Sequence, residues 1–389
     1  MEEYERERQA ERARIAAQQA ELAGEYEEYR ASRIKVWENV ETPYSENPAE
    51  FKKAVDEALA RKKRGEAAVP FKTENVTDGV AGDGPGTRAF GVELEFDIKR
   101  GVNKSQALRK IGEELHAAGL TSTSQQVHYH SAAQNGYQKW SFENDCTVDA
   151  ELVSPIMKDT PEHWEELRQV IEIVERNGGV ASTRAGSHVH VSSGSYQTKV
   201  APHAELLRTF NDNEDVMYRM AADPKRGKHR GTRWCSPNAN DREQEISKDD
   251  ARDISILGQH AHALGLNFES ANNRSWKKAN VEFRLWDSSL DVGVIQQQVA
   301  VSVAMTDYAE RKVETEGASK KSEGQRKRIG HGRNKESHVL DSHGVTKHNE
   351  QTFAESHADA AAFFDKMFRT KEHRDAAASL FALNKWQMG

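Results

Sequence analysis

Cysteine is scarce in this chain: Cys146 and Cys235 are the only two among 389 residues. Two lone thiols make neither a zinc knuckle nor a disulfide framework, and they suit a reducing compartment. Long apolar runs are lacking as well. No segment reaches the ~18 apolar residues of a membrane span, and the start, Met-Glu-Glu-Tyr-Glu-Arg, has no apolar signal region. The expectation is a cytoplasmic protein with no membrane partner. An excess of basic charge is missing too. The net charge of -7 argues against general nucleic-acid binding. No Walker-type phosphate loop occurs, and the glycines at Gly82-Asp83-Gly84-Pro85-Gly86 precede a strand, whereas a dinucleotide fingerprint follows one. Hydrophobic content of 36% against 30% charged residues, with a mean hydropathy of -0.85, describes a catalytic or binding domain diluted by polar extensions.

The clearest positive signal is Phe90-Gly-Val-Glu-Leu-Glu-Phe-Asp97. Val92, Leu94 and Phe96 fall on one face of a strand, and Gly91, Glu93, Glu95 and Asp97 on the other. Successive carboxylates on that face stand about 7 Å apart and repel unless something screens them. Around this strand the chain divides into five parts. Residues 1–70 read as a charged helical extension. They include a Glu-, Arg-, Gln- and Ala-rich stretch to residue 38, with too few heptads for a coiled coil, and a helix over 47–64 carrying Phe51, Val55 and Leu59. Residues 71–87 read as a linker, 88–312 as the catalytic domain, 313–350 as a polar flexible loop, and 351–389 as helices returning to the domain. Within the domain, helices are expected over 104–118, 161–176, 203–222, 249–265 and 291–312. A hairpin is expected where Val127–His130 and Tyr137–Phe142 flank Asn135-Gly136.

Three later segments repeat the opening design of an apolar face with a polar pair at i, i+2: Asp149/Glu151, His188/His190 and Glu282/Arg284. If the strands are neighbours, their polar faces merge into one surface of carboxylates, imidazoles and a guanidinium. Glutamate-rich oxygen sites with a histidine suit hard cations, Mg²⁺ or Mn²⁺. Mg²⁺ on carboxylates commonly also holds phosphates, and an adjacent arginine stabilises a transferring phosphoryl group. The residues point to a metal-dependent site that handles phosphates and leave the reaction open.

The order of these segments carries a family likeness. Phe-Gly-Val-Glu-Leu-Glu-Phe is followed by Asp145-Cys-Thr and Glu151-Leu-Val-Ser-Pro. Gly186-Ser-His-Val-His-Val, Arg233-Trp-Cys and Val281-Glu-Phe-Arg-Leu-Trp-Asp287 complete the series. The set resembles the amidoligase family of glutamine-synthetase-like carboxylate–amine ligases over roughly residues 88–310. The resemblance implies an α+β fold, a glutamine-synthetase-like curved antiparallel sheet with helices packed on its back, here with an N-terminal helical extension. It implies ATP and Mg²⁺ as cofactors, and an amide bond formed from an unknown carboxylate and an unknown amine through an acyl phosphate. Those substrates are a small molecule, a peptide or a protein. By motif, Glu93, Glu95, Glu151, His188 and Glu282 would bind metal. His190 would support the site or meet substrate, and Arg284 would contact phosphate. Arg230 or Arg233 would reach the ATP phosphates. An acyl phosphate needs shielding from water, so a cover is expected from residues 225–235 or 313–350.

Other residues carry plainer readings. Asp145 either caps a turn or serves the metal or the chemistry. Asp149 reads as ligand or solvated neighbour, and Asp97 as an ordinary exposed carboxylate. His128 and His130 read as solvent-facing, and His260 and His262 do not share a helix face. Trp286 packs at the sheet rim or stacks on adenine. Two other functions remain: a structural module docked on a protein partner through its N-terminal helices, and a metal-dependent phosphohydrolase.

Overall fold

The polar and apolar alternation of these segments becomes the two faces of one sheet. The computed structural model describes residues 40–83, 87–193, 200–221, 264–272, 279–317 and 350–383, with scattered positions between 6 and 37 that are helical. The strands are β1 (Phe90–Ile98), β2 (Ser141–Glu143), β3 (Ala150–Val153), β4 (Gly179–Val180), β5 (Gly186–Ser192), β6 (Leu266–Asn267) and β7 (Asn280–Asp287). They form a seven-stranded antiparallel sheet in the order β2-β3-β1-β5-β7-β6, with β4 pairing the end of β1. The strand with three carboxylates is therefore central, not an edge.

Helices cover the apolar face. They are α1 (Pro48–Lys63), α2 (Lys104–Ala117), α3 (Pro161–Arg176), α4 (Val200–Asp212), α5 (Glu214–Ala221), α6 (Val292–Glu316), α7 (Glu350–Met367) and α8 (Lys371–Ala382). Phe90 stacks on Trp164 of α3 at 5.2 Å, Phe283 meets Phe210 of α4 at 6.4 Å, and Trp286 donates from Nε1 to Ser302 Oγ of α6 at 3.1 Å. Helix starts follow their capping residues: Asn103 for α2, Thr160 with Pro161 for α3, Asp291 for α6 and Thr370 for α8. The expected helix over 203–222 is two helices, and the one expected over 249–265 lies outside the described residues.

Three expectations need correction. Residues 127–142 make no hairpin. Residues Ser131–Asn135 form a 3₁₀ turn, Gly136 and Tyr137 both take left-handed φ, and Val127 bridges Glu143 in parallel. Asn-Gly here ends a short helical turn, for which a left-handed glycine is equally suited. Asp97 is buried; it accepts from the Asp149 N–H at 3.1 Å and pairs with Arg184 at 2.6 Å. Trp286 is buried beneath α6, because the β5–β7 register shifts between Ser187 and Val189. The extra residue on β7 switches the strand's alternation and turns Trp286 to the apolar side.

Residues outside the sheet are tied into the same body. Asp159 accepts from the Val76 N–H, the Thr77 N–H and hydroxyl, and Trp164 Nε1, at 2.7 to 3.1 Å. It anchors the aperiodic stretch after residue 70 to the start of α3. Gln296 of α6 exchanges two hydrogen bonds with the backbone of Lys72. Gly293 permits that approach: a Cβ there would lie 2.0 Å from the Val69 carbonyl oxygen. Helix α1 buries Phe51 against Phe364 of α7 and Phe381 of α8. It is part of the body rather than a free arm.

Candidate functional site

The register sets every polar residue of the opposite face beside its partner. Glu93 stands across from His188, Glu95 from Glu151, and Glu151 in turn from Glu143 of β2. His190 stands across from Glu282, and Glu282 from Asn267 of β6. Side chains converge accordingly. Glu93 accepts from His188 Nδ1 at 2.8 Å and from His190 Nε2 at 3.0 Å. Glu282 accepts from Arg284 at 2.5 Å and from Asn267 Nδ2 at 2.7 Å, and lies 3.4 Å from His188 Nδ1. Glu95 accepts from the Gly186 N–H at 2.6 Å and approaches His188 Nε2 at 3.9 Å. Asn280 Oδ1 holds the other nitrogen of His190 at 3.0 Å.

Charge is unevenly matched across this surface. Burial would raise the Glu93 carboxyl, but His190 and His188 hold it well below the usual range. Burial opposes a charge on His190, yet Glu93 and then Glu282 push the imidazole up to about 9. Glu282 is likewise held low, against burial, by His190 and Arg284. On the β3 side the sign reverses. Burial, then the carboxylates of Glu93 and Glu95, drive Glu151 well above its ordinary value. Glu143 is wholly buried; one oxygen accepts from the Ala132 N–H at 2.7 Å and the other has no hydrogen-bond partner.

This donor set fits a hard divalent cation. Ligand atoms of Glu93, Glu151 and His188 lie within 4.8 Å of one another, and so do those of Glu93, His190 and Glu282. A cation would relieve the repulsion that raises Glu151. The five expected metal residues therefore share one surface, with His190 and Arg284 among them. Asp145 caps its own turn, accepting from the N–H groups of Thr147 and Val148 and from the Thr147 hydroxyl. Its charge also acts on Glu151. Asp149 binds the Ile98 N–H at 2.8 Å and Lys104 at 2.6 Å, away from the cluster. Arg230 and Arg233 lie outside the described residues.

Several residues here escaped the sequence reading. Glu143 follows Phe142 on a strand of only three residues, too short to show a period. Asn280 and Asn267 orient His190 and Glu282; Asn280 sits at i−2 of Glu282, so strand alternation signals it. Tyr129 belongs to the misread 127–140 segment. Burial, followed by Glu151 and Glu93, raises its hydroxyl, against Arg284. The segment that carries Tyr129 thus borders the carboxylate surface, and the Ala132 N–H ties it to Glu143.

Comparison with known proteins agrees with the likeness of the motifs. A family model described as "Putative amidoligase enzyme" matches residues 86–306, more than half of the chain. That span holds all seven strands. No curated protein matches the chain.

Proposed function

The chain belongs to the amidoligase family, and from that premise we propose that it is an ATP- and Mg²⁺-dependent ligase joining a carboxylate to an amine. The observation that supports this reading best is the Glu93 carboxylate, bracketed by two imidazoles and flanked by the Glu282–Arg284 pair on one side and surplus carboxylates on the other. In the proposed reaction the acid substrate takes the γ-phosphoryl group of ATP and ADP leaves. The amine then displaces phosphate from the acyl phosphate, sheds a proton, and leaves an amide.

Glu93, Glu95, Glu151, His188 and Glu282 would hold Mg²⁺, or Mn²⁺ in its place, with Glu143 beside Glu151 as a further carboxylate. When bound, the ions neutralise the triphosphate and the charge that develops during phosphoryl transfer. Arg284 is fixed by Glu282 at the edge of this set, where its guanidinium faces anionic oxygens. His190, raised against burial to about 9 by Glu93 and Glu282 and held at its two nitrogens by Glu93 and Asn280, adds a fixed positive charge beside the carboxylates, suited to an anionic substrate group. Residues 127–140 border the site from one side and are suited to limit water there.

The test is calorimetry of the purified chain with Mg²⁺ and a non-hydrolysable ATP analogue, followed by ADP release with panels of acids and amines. Mg-nucleotide binding and ADP release that requires an acid are expected, with phosphate and amide following only when an amine is present. A folded protein that does not bind Mg-nucleotide overturns the reading. Phosphate release that needs no acceptor would transfer the site to phosphohydrolase chemistry.

A further inference from the structure

A cavity of about 290 Å³ opens on the carboxylate face beside Glu93 and His190. Gly91 is among the residues that line it. Gly91 sits in β1 directly across from His190, on the same face as Glu93. Glycine inside a strand weakens it, and often marks a place where a ligand approaches the backbone. The backbone itself makes no demand for glycine here. Gly91 is not in the left-handed region, and a Cβ would meet Ser154 Oγ at 3.4 Å and the Pro155 carbonyl oxygen at 3.9 Å, ordinary contact distances. A larger side chain at residue 91 would extend into the cavity.

The walls say what the cavity accepts. Val153, Pro155 and Ile156 line one side, with Tyr137 beside them, and Ser192 and Asn280 line the other. Among the described lining residues there is no lysine or arginine, and Glu93 and His190 are the charged groups, both at the site end. Ile156, which lines the cavity, is 47% exposed and so offers apolar surface to an occupant. Tyr137 holds a φ of 57°, which is costly for a bulky residue, and its carbonyl accepts from the Ile156 N–H at 3.1 Å. The volume lies at the small end of ligand pockets, roughly 300–1,000 Å³.

We infer that this cavity receives the uncharged aliphatic tail of the substrate whose reactive end lies at Glu93 and His190, and that Gly91 sets the length of tail admitted. The inference rests on the ligase reading for the nature of that reactive end. An acid and an amine can share such a tail, so the two sources are separated by experiment.

The test is ligand-observed NMR on the full chain with Mg²⁺ and a non-hydrolysable ATP analogue, using two probe series, acetate to octanoate and methylamine to octylamine. In the wild type, one series should tighten by about fourfold per added methylene, the factor for burying that group, until the cavity is full. Gly91→Val should remove that gain for the longer members while leaving the shortest bound as before. Ile156→Glu, a surface change that does not threaten folding, should weaken the longer members about tenfold. Circular dichroism melts separate loss of fold from loss of cavity, with Gly91→Ala as the milder variant. Wild type that binds Mg-nucleotide but shows no chain-length dependence in either series overturns the cavity inference and leaves the ligase reading standing. So does a length dependence unchanged in both Gly91→Val and Ile156→Glu. Tail binding that Gly91→Val abolishes, in a protein that binds no Mg-nucleotide, keeps the cavity and overturns the ligase reading.

Discussion

The two halves of the carboxylate face solve the problem of buried charge in opposite ways. Where β1, β5 and β7 adjoin, each carboxylate has a nitrogen partner: Glu93 of β1 has His188 and His190, and Glu282 of β7 has Arg284. On β2 and β3, Glu143 and Glu151 stand opposite each other in register with no cationic residue between them. The first half is matched by the protein's own side chains; the second is eased by a proton on Glu151 or by an added cation. The difference teaches where occupancy would matter most. A cation added to the matched half must displace protons or partners, whereas on the unmatched half it relieves repulsion already present.

The largest expected effect comes from breaking the matched half. Glu93→Gln or Glu282→Gln should lower the rate of acid-dependent ADP release by at least ~100-fold, because the group that orients both histidines or the arginine is lost. Steady-state kinetics with folding checked by circular dichroism would show it, and a change below about tenfold would refute the assignment. Next comes the unmatched half. With EDTA present, Glu151→Gln should raise Tm at neutral pH, since a carboxyl whose charged form is disfavoured by burial and by Glu93 and Glu95 is replaced by a neutral isostere. If Mg²⁺ raises the Tm of the wild type, as the ligase reading expects, the same variant should lose most of that rise.

A pH series sharpens the comparison further. The His190 imidazole is raised to about 9 in the folded chain, against about 6.5 when unfolded. Its contribution is complete below the unfolded value and fades as pH climbs through 9. Glu151 acts in the same alkaline direction. Its raised carboxyl keeps a proton that the unfolded chain releases, so stability falls as pH rises above the ordinary glutamate range. Glu93, held low, acts oppositely and loses its contribution as pH falls through that range. In EDTA, Tm should therefore decline between about pH 6.5 and 9 as His190 loses its proton, and Glu151→Gln should lose the part of the decline that starts above the ordinary glutamate range; a flat profile would contradict the arrangement. The smallest effect is expected from Asn280→Ala, which frees one nitrogen of His190. It should cost about 1 kcal/mol and lower the alkaline midpoint of that profile.

What could be read in advance follows from where the physics is local. Strands β1, β3 and β5, and β7 as far as its bulge, announce themselves because an apolar face alternates with a polar one. Helix α3 is legible from Thr160-Pro161 to the glycines after Arg176. Misreadings fall where local rules have two solutions or where distant partners decide. Asn135-Gly136 suits a hairpin turn and a helical stop equally, and the fold took the second. Simple alternation along β7 puts Trp286 with Glu282 and Arg284, and the bulge that turns it to the apolar side cannot be seen from one strand alone. The stretch from residue 71 has no period because its order comes from Asp159, Gln296 and His373, far along the chain. Of the site, the polar pairs on four strands were legible from their spacing, and the family likeness singled out Glu93, Glu95, Glu151, His188 and Glu282 among them. Glu143, Tyr129 and the cavity beside Gly91 depended on which strands became neighbours.

The packing of Phe51 between Phe364 and Phe381 has a consequence in time. A helix made before the whole sheet finds its apolar partners only after some three hundred further residues have been added. Until then Phe51 has no cover from α7 or α8. The sheet can assemble earlier, since strands β1 to β7 all precede those helices. Closure of the body is thus a late event, coupled to completion of α8. In the interval α1 is exposed to chaperones and proteases, while the carboxylate surface, built on strands alone, can already be formed.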